Sequence, residues 1–217
     1  LNPDAELRPG AVAAMAAPFE ARADVGVVGP RTRNADGTVQ VSTGEDLSLL
    51  AERRQRRLVR GVASRRRRAL ARADALHARA HEPDWVSGSC LMIRRACLEA
   101  VGGFDEGFFL YEEDADLCRR VRAAGWRVLF APAAEVVHQL GRSMESDRHR
   151  ARFEYDRSHL RYYRKHNGRL AVAVLRGLLF GRGVGGWLAG LLRRDTPARG
   201  RAVLLLRLAL GEDAAAR

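Results

Sequence analysis

Up to about Ser143 the apolar positions fall in short runs broken by glycine, proline and charged residues, whereas beyond it they recur at helical spacing. Pro9 stands where a helix tolerates proline, and the Ala-rich stretch Gly10–Arg22 predicts a helix packed on a sheet. Val25–Val28 predicts a short buried strand. Asn34-Ala35-Asp36-Gly37 carries turn chemistry ahead of Thr38–Ser42, so a hairpin or edge excursion is expected there. Asp46 to about Ala80 lacks proline and is periodic enough for one or two helices. Trp85–Arg94 alternates and reads as one strand, with Ser87-Gly88-Ser89 allowing close backbone approach. Arg95–Val101 predicts a short helix stopped by Gly102-Gly103. Phe104–Tyr111 is an aromatic loop that packing must hold. Glu112–Ala124 follows as a helix with Leu117, Val121 and Ala124 facing inward and Gly125 as its stop. Two strands, Val128–Phe130 and Glu135–His138, flank Pro132. Helices are then expected over Met144–His166, Leu170–Leu192 and Arg201–Leu210. The class is α/β: a core over residues 1–143 containing the helical segment 46–80, then a helical tail over 144–217.

Charge changes this picture in one respect. The chain carries 38 basic and 26 acidic side chains, a formal balance of +12, and Lys165 is its only lysine. Nine arginines lie between Arg53 and Arg68. Such a block reads as a solvated helix face, as a contact for anionic lipid headgroups, or as a nucleic-acid contact. The last lacks aromatic interleaving and any recognised motif, so no nucleic-acid partner is expected. Cys90, Cys97 and Cys118 are odd in number and lack metal-ligand spacing, which points to a reducing, cytosolic compartment. Arg176 and Arg182 interrupt the apolar stretch Leu170–Leu192, so no segment is expected to span a bilayer. The tail alternates apolar runs with arginines as interfacial helices do, and as ordinary bundle helices also do. The chain opens on Leu1 with no basic-then-apolar leader and reads as a portion of something longer.

Three groups of acidic or imidazole residues fall at expected strand ends or helix starts, where α/β folds place ligands. They are Asn2 with Asp4, then Glu112-Glu113-Asp114 with Asp116, then His138. Taken singly, each has an ordinary structural reading. An acidic run suits a helix N-terminus, Asp4 suits a cap or turn, and a lone histidine is commonly structural.

Their order and setting carry a resemblance. Leu1-Asn2-Pro3-Asp4, the stretch Asp84 to Arg95, Val101-Gly102-Gly103-Phe104-Asp105-Glu106, Phe109-Leu110-Tyr111-Glu112-Glu113-Asp114-Ala115-Asp116-Leu117, Gly125-Trp126-Arg127 and Val136-Val137-His138 succeed one another as in glycosyltransferase family 2. The chain resembles the bacterial rhamnosyltransferase-like branch of that family from Leu1 to about Gly168. The resemblance implies a partial GT-A (nucleotide-diphospho-sugar transferase) fold with a C-terminal helical tail, lacking the nucleotide-binding βαβ units that precede the acidic motif.

It also implies roles. Asp114 would be the general base of an inverting transfer, partly dried by Phe108, Phe109 and Tyr111. Asp4 and His138 would ligate a divalent metal, Mn2+ or Mg2+, with Asn2 on the donor and diphosphate side in place of a further carboxylate. Trp85, Gly88, Asp105, Glu106, Glu113 and Asp116 are the acceptor-side candidates. Expected partners are a nucleotide-sugar donor, a glycan or polyprenyl-linked acceptor and an anionic membrane surface, which would put the protein at the cytoplasmic face of the cell membrane. The alternative is a basic, non-catalytic module for anionic membrane surfaces or polyanions.

Overall fold

The computed structural model describes residues 1–139, 148–193 and 196–211. They form two compact units: Leu1–Glu106 with the stretch beginning at Glu113, and Gly107–Glu112 with the C-terminal helices.

The first unit is built on two parallel strands, β2 (Val25–Arg33) and β6 (Arg127–His138). In chain order the other strands are β1 (Ala5–Leu7), β3 (Thr43–Gly44), β4 (Trp85–Val86) and β5 (Met92–Ile93). β1 pairs antiparallel with β6 and β5 antiparallel with β2, giving the order β1-β6-β2-β5, while β3 and β4 form a separate two-stranded ladder. Val25, Val27 and Val28 are all fully buried, a continuous apolar run that suits a strand covered on both faces. On one face Val25 and Val28 pack with Ala11 and Met15 of α1 (Ala11–Ala21). On the other, Val27 meets Cys97 of α4 (Arg95–Val101) and Leu117 and Val121 of α5 (Glu113–Ala123). Each buried valine contributes roughly 1.5–3 kcal/mol.

Three expectations change in this unit. Trp85–Arg94 is not one strand but β4 and β5, which belong to different sheets, because Ser87 donates its N–H to the Ser42 carbonyl and Gly88 to a side chain of α5. The two strands expected around Pro132 are one bulged strand: Pro30 pairs with Ala131 and Arg31 with Glu135, so the residues between fall outside the ladder where proline lacks a donor. Ala124 is exposed rather than inward, because α5 ends at Ala123 and Gly125 (φ +85°) turns the chain so that the Trp126 N–H reaches the Val121 carbonyl.

Elsewhere the patterns hold. Asn34 and Thr38 close the expected turn (N to O 2.8 Å) with Gly37 at φ +79°. The segment 46–80 forms α2 (Leu49–Ala63), capped by Ser48 Oγ, and α3 (Arg67–Leu76). All nine of its arginines from Arg53 to Arg68 are exposed, around a buried stripe of Ala51, Leu58 and Gly61. His77, at the end of α3, fixes this segment to the sheet. Its Nδ1 lies 2.8 Å from the Ala73 carbonyl, its Nε2 accepts from the Ser42 N–H at 3.4 Å, and its ring stands edge-on to Phe130.

The second unit holds α6 (Arg148–His166), α7 (Arg169–Leu192) and α8 (Thr196–Leu210). The expected helix start at Met144, and with it the boundary at 143, lies outside the described residues. The loop Gly107–Glu112 packs on α6: Ser158 Oγ donates to the Leu110 carbonyl at 2.7 Å, Glu112 meets His159 at 2.9 Å, and Phe108 lies under the Arg161 guanidinium. α7 corrects the membrane expectation in one point. It is long and apolar enough to cross a membrane by length and composition, despite Arg176 and Arg182.

Two outcomes follow for stability. A Cβ on Gly29 would lie 2.5 Å from Val86 Cβ, so Gly29→Ala is expected to destabilise the fold by about 1–3 kcal/mol, read as a lowered urea midpoint. Burial pushes the His77 pKa below the ordinary imidazole value of 6.5. The unfolded chain therefore binds the extra proton first, and the stability that neutral His77 provides is complete above pH 6.5 and falls as pH drops below it. Urea midpoints measured across that range should fall on acidification in the wild type, and less steeply in His77→Gln.

Candidate active site

Two consecutive non-glycine residues in left-handed conformation, Tyr111 (φ 67°) and Glu112 (φ 65°), precede α5. Such geometry costs about 1–2 kcal/mol per residue and is held here by the Glu112 contact with His159. The first turn of α5 then carries Glu113, Asp114 and Asp116, where the helix macrodipole favours carboxylates. Asp114 is half-buried. Its Oδ2 accepts the Gly88 N–H at 2.7 Å, and its Oδ1 accepts the Ala115 N–H at 2.8 Å. A Cβ on Gly88 would come within 3.2 Å of Asp114 Cβ, so the residue type lets the backbone reach the carboxylate.

The β1–β6 ladder places Ala5 opposite His138 and thereby sets Asp4 against the imidazole. Asp4 Oδ1 lies 3.2 Å from His138 Nε2, and Gln40 Oε1 lies 3.2 Å from Nδ1. With oxygen acceptors at both nitrogens, the neutral ring can satisfy only one of them, and a cation on the Nε2 side would satisfy the other. Among the described residues no group of three or more His, Cys, Asp or Glu side chains is placed to hold a metal. A carboxylate and an imidazole nonetheless fit an ion of the Mg2+ or Mn2+ kind, which is commonly held by one or two protein groups and completed by substrate phosphates.

A short backbone link joins the two sites. Asn2 is exposed and donates its N–H to the Ser89 carbonyl at 2.8 Å, one residue from the Gly88 that holds Asp114. Ser87 Oγ in turn bonds Ser89 Oγ at 3.1 Å. The segment Ser87–Ser89 therefore ties the strand-end pair Asp4–His138 to the head of α5.

The remaining candidates are distributed differently. Asp116 is fully buried and ion-paired with Arg120 at 2.8 Å, and Arg120 also donates to the Val101 carbonyl at 2.7 Å, which fastens α5 to α4. Trp85 packs against the Gly44 backbone and donates its indole N–H to the Glu45 carbonyl at 2.9 Å. Asp105 and Glu113 are half-buried and Glu106 is exposed. Cys118 lies on the buried face of α5, and burial pushes its thiol up to about 12, so it supplies no nucleophile. Gln40 escaped the sequence reading, and Ser89 entered it only through the close-approach stretch Ser87-Gly88-Ser89. Gln40 reaches His138 only because its N–H pairs with the Thr32 carbonyl across the turn, a placement without local signature.

A family model described as Glycosyltransferase like family 2 matches residues 4–165. The chain belongs to that family. It is 36% identical over 148 residues to N-acetylglucosaminyl-diphospho-decaprenol L-rhamnosyltransferase of Mycobacterium tuberculosis, a match covering 67% of this chain and 48% of that protein. It is also 44% identical over 55 residues to rhamnosyltransferase WbbL of Escherichia coli, covering 25% of this chain and 21% of the relative. O-antigen biosynthesis protein RfbC of Myxococcus xanthus is 34% identical over 62 residues, 29% of this chain and 5% of that one. The chain spans about half the length of the mycobacterial relative. It is a rhamnosyltransferase-like member of family 2, and its mixed sheet with flanking helices is consistent with a GT-A-like nucleotide-sugar transferase domain.

If Asp4 and His138 hold the ion, Asp4→Ala and His138→Ala should each weaken Mn2+ binding by about tenfold or more. Electron paramagnetic resonance titration of the full-length protein with a nucleoside diphosphate present reads this directly. Unchanged binding in both variants would remove the pair as ligands.

Proposed function

We propose that this chain carries the catalytic base and the acceptor side of a metal-assisted, inverting glycosyltransferase. The observation that carries the reading is the Asp114 carboxylate, fixed by the Gly88 N–H on a segment that is itself bonded to Asn2. The Asp114 oxygens accept the Gly88 and Ala115 backbone N–H groups, which orient the carboxylate. An oriented carboxylate of this kind takes the proton from an acceptor hydroxyl. As that proton leaves, the acceptor oxygen bonds the anomeric carbon, and the opposite bond to the donor diphosphate breaks with inversion. A divalent ion, Mn2+ or Mg2+, held by Asp4 and His138 would neutralise the charge growing on the departing diphosphate. Asn2 lies on that donor side. Asp105, Glu106, Glu113 and Trp85 stand on the acceptor side, whereas Asp116 serves by holding α5 against α4.

The names of the relatives favour rhamnose as the sugar and a polyprenyl-linked or other cell-envelope glycan as the acceptor. Such a lipid-linked acceptor would bring the enzyme to the inner face of the cell membrane. The catalytic portion would run through residue 143, with the tail from 144 onward. Because the chain spans about half of its mycobacterial relative, these 217 residues alone are expected to turn over little, and the test belongs in the full-length protein.

In that protein Asp114→Asn should lower kcat by about 10²- to 10⁴-fold while donor affinity and the circular-dichroism spectrum stay as in the wild type. Nucleoside diphosphate release in the presence of acceptor measures it. Retention of activity by the variant would refute the base.

A further inference from the structure

The apolar character of α7 is sorted by face. Of its three arginines Arg169 opens the helix, and the two within its apolar stretch bond protein: Arg176 Nε donates to the Ala209 carbonyl at 2.6 Å, and Arg182 forms a two-pronged pair with Asp156 of α6 at 2.9 and 3.0 Å. The side facing α8 is made for close packing, since a Cβ on Gly183 would meet Leu206 Cγ at 2.8 Å and the Ala202 carbonyl at 3.2 Å. Between Leu170 and Leu192 the Arg182 side chain stays 39% exposed, and the rest of the outward side is uncharged. Leu170, Val174, Leu178, Trp187, Leu188 and Leu192 are all exposed, from 40% for Trp187 to 87% for Leu192. Only 17% of the most apolar window of the helix is buried, whereas the core helix of a soluble protein would be mostly so.

We propose that this outward face of α7 is a membrane-docking surface that lies in the interfacial layer of an anionic bilayer. It names the contact for the membrane-side part of the function proposed above and rests on that part, while its test needs no catalysis. Charge selects the occupant. α7 has no acidic residue, Arg169 opens it and Arg193 follows it, and the last turn of α6 just before it carries Arg164, Lys165 and His166. A second copy of the same face would set these cations against one another or against bare leucine, whereas anionic headgroups complement them and acyl chains take the leucines.

The same contacts decide between lying on the bilayer and crossing it. The inner side of α7 grips Asp156, which is 2% exposed, on a helix that also carries Glu154, Arg157 and Arg161. A transmembrane α7 would drag that ion pair and its charged neighbour into hydrocarbon, where such groups are costly. Lying in the interface leaves them on the aqueous side. Trp187, an amphipathic ring on this helix, suits that depth.

The test is flotation of the full-length protein with vesicles of phosphatidylglycerol and phosphatidylcholine, compared with phosphatidylcholine alone. Binding should favour the anionic vesicles, and the double variant Leu178→Glu, Leu188→Glu should lose about tenfold or more in partition with its helical content kept. A readout free of the variant guards against misfolding: brominated lipid should quench the wild-type tryptophan emission, and Trp187→Phe should abolish that quenching. Alkaline carbonate should release the bound protein. Wild-type partition in the double variant, quenching unchanged by Trp187→Phe, retention after carbonate, or a dimer that the double variant dissolves would each overturn the proposal. Loss of activity in Asp114→Asn has no bearing on any of these outcomes.

Discussion

One hydrogen bond organises the candidate site: the Gly88 N–H on the Asp114 carboxylate, at 2.7 Å. A charge-assisted bond of this kind fixes a side chain more firmly than packing does, because it specifies direction as well as distance. It also has a structural cost, since Gly88 must leave the ladder that its flanking residues would otherwise extend. Val86 and Met92 consequently belong to different sheets, and the backbone between them is held instead by Ser42, by Asn2 and by a serine pair. The interruption of the strand and the positioning of the carboxylate are the same event.

The parallel pair β2–β6 supplies the frame for the other half of the site. Its valines are buried on both faces, so it cannot slip in register without burying polar groups. Beyond the bulge at Pro132 the strand regains its partner at Glu135 and ends on His138. The short β1 then closes on that end and delivers Asp4 to the imidazole. A half-buried three-residue strand thus matters for the residue that lies beside it more than for its own modest stability.

The helical unit applies a related economy to charge. Arg176 and Arg182 read as interruptions of an apolar segment, yet each satisfies a group inside the unit: a carbonyl at the end of α8 and a buried aspartate on α6. Guanidinium suits this task because its donors fan out in a plane and its aliphatic stem packs among leucines. The buried Glu112–His159 contact plays a comparable part in the loop before α5, where it holds a left-handed pair of residues that side-chain sterics disfavour.

Local chemistry determined a large share of this protein from the sequence alone. The Ala-rich run gave α1, the Asn-Ala-Asp-Gly turn closed as its residues demand, and Gly102 and Gly125 stopped their helices because an αL position favours a residue without Cβ. The acidic run ahead of Leu117 marked the head of α5, and the order of motifs pointed to the family. Other features depended on partners remote in the chain. Nothing in Trp85–Arg94 says that its middle will bond to a carboxylate 26 residues away, and nothing around Gln40 says that it will face His138 across 98 residues. The face of α7 is of the same kind, because an arginine in sequence is only a charge, and whether it interrupts an apolar surface or vanishes from it depends on which side holds its acceptor. Periodicity and turn chemistry are properties of neighbours along the chain, and so the sequence determined them; pairing, register and the direction of a charged side chain are properties of neighbours in space, which tertiary packing alone decided.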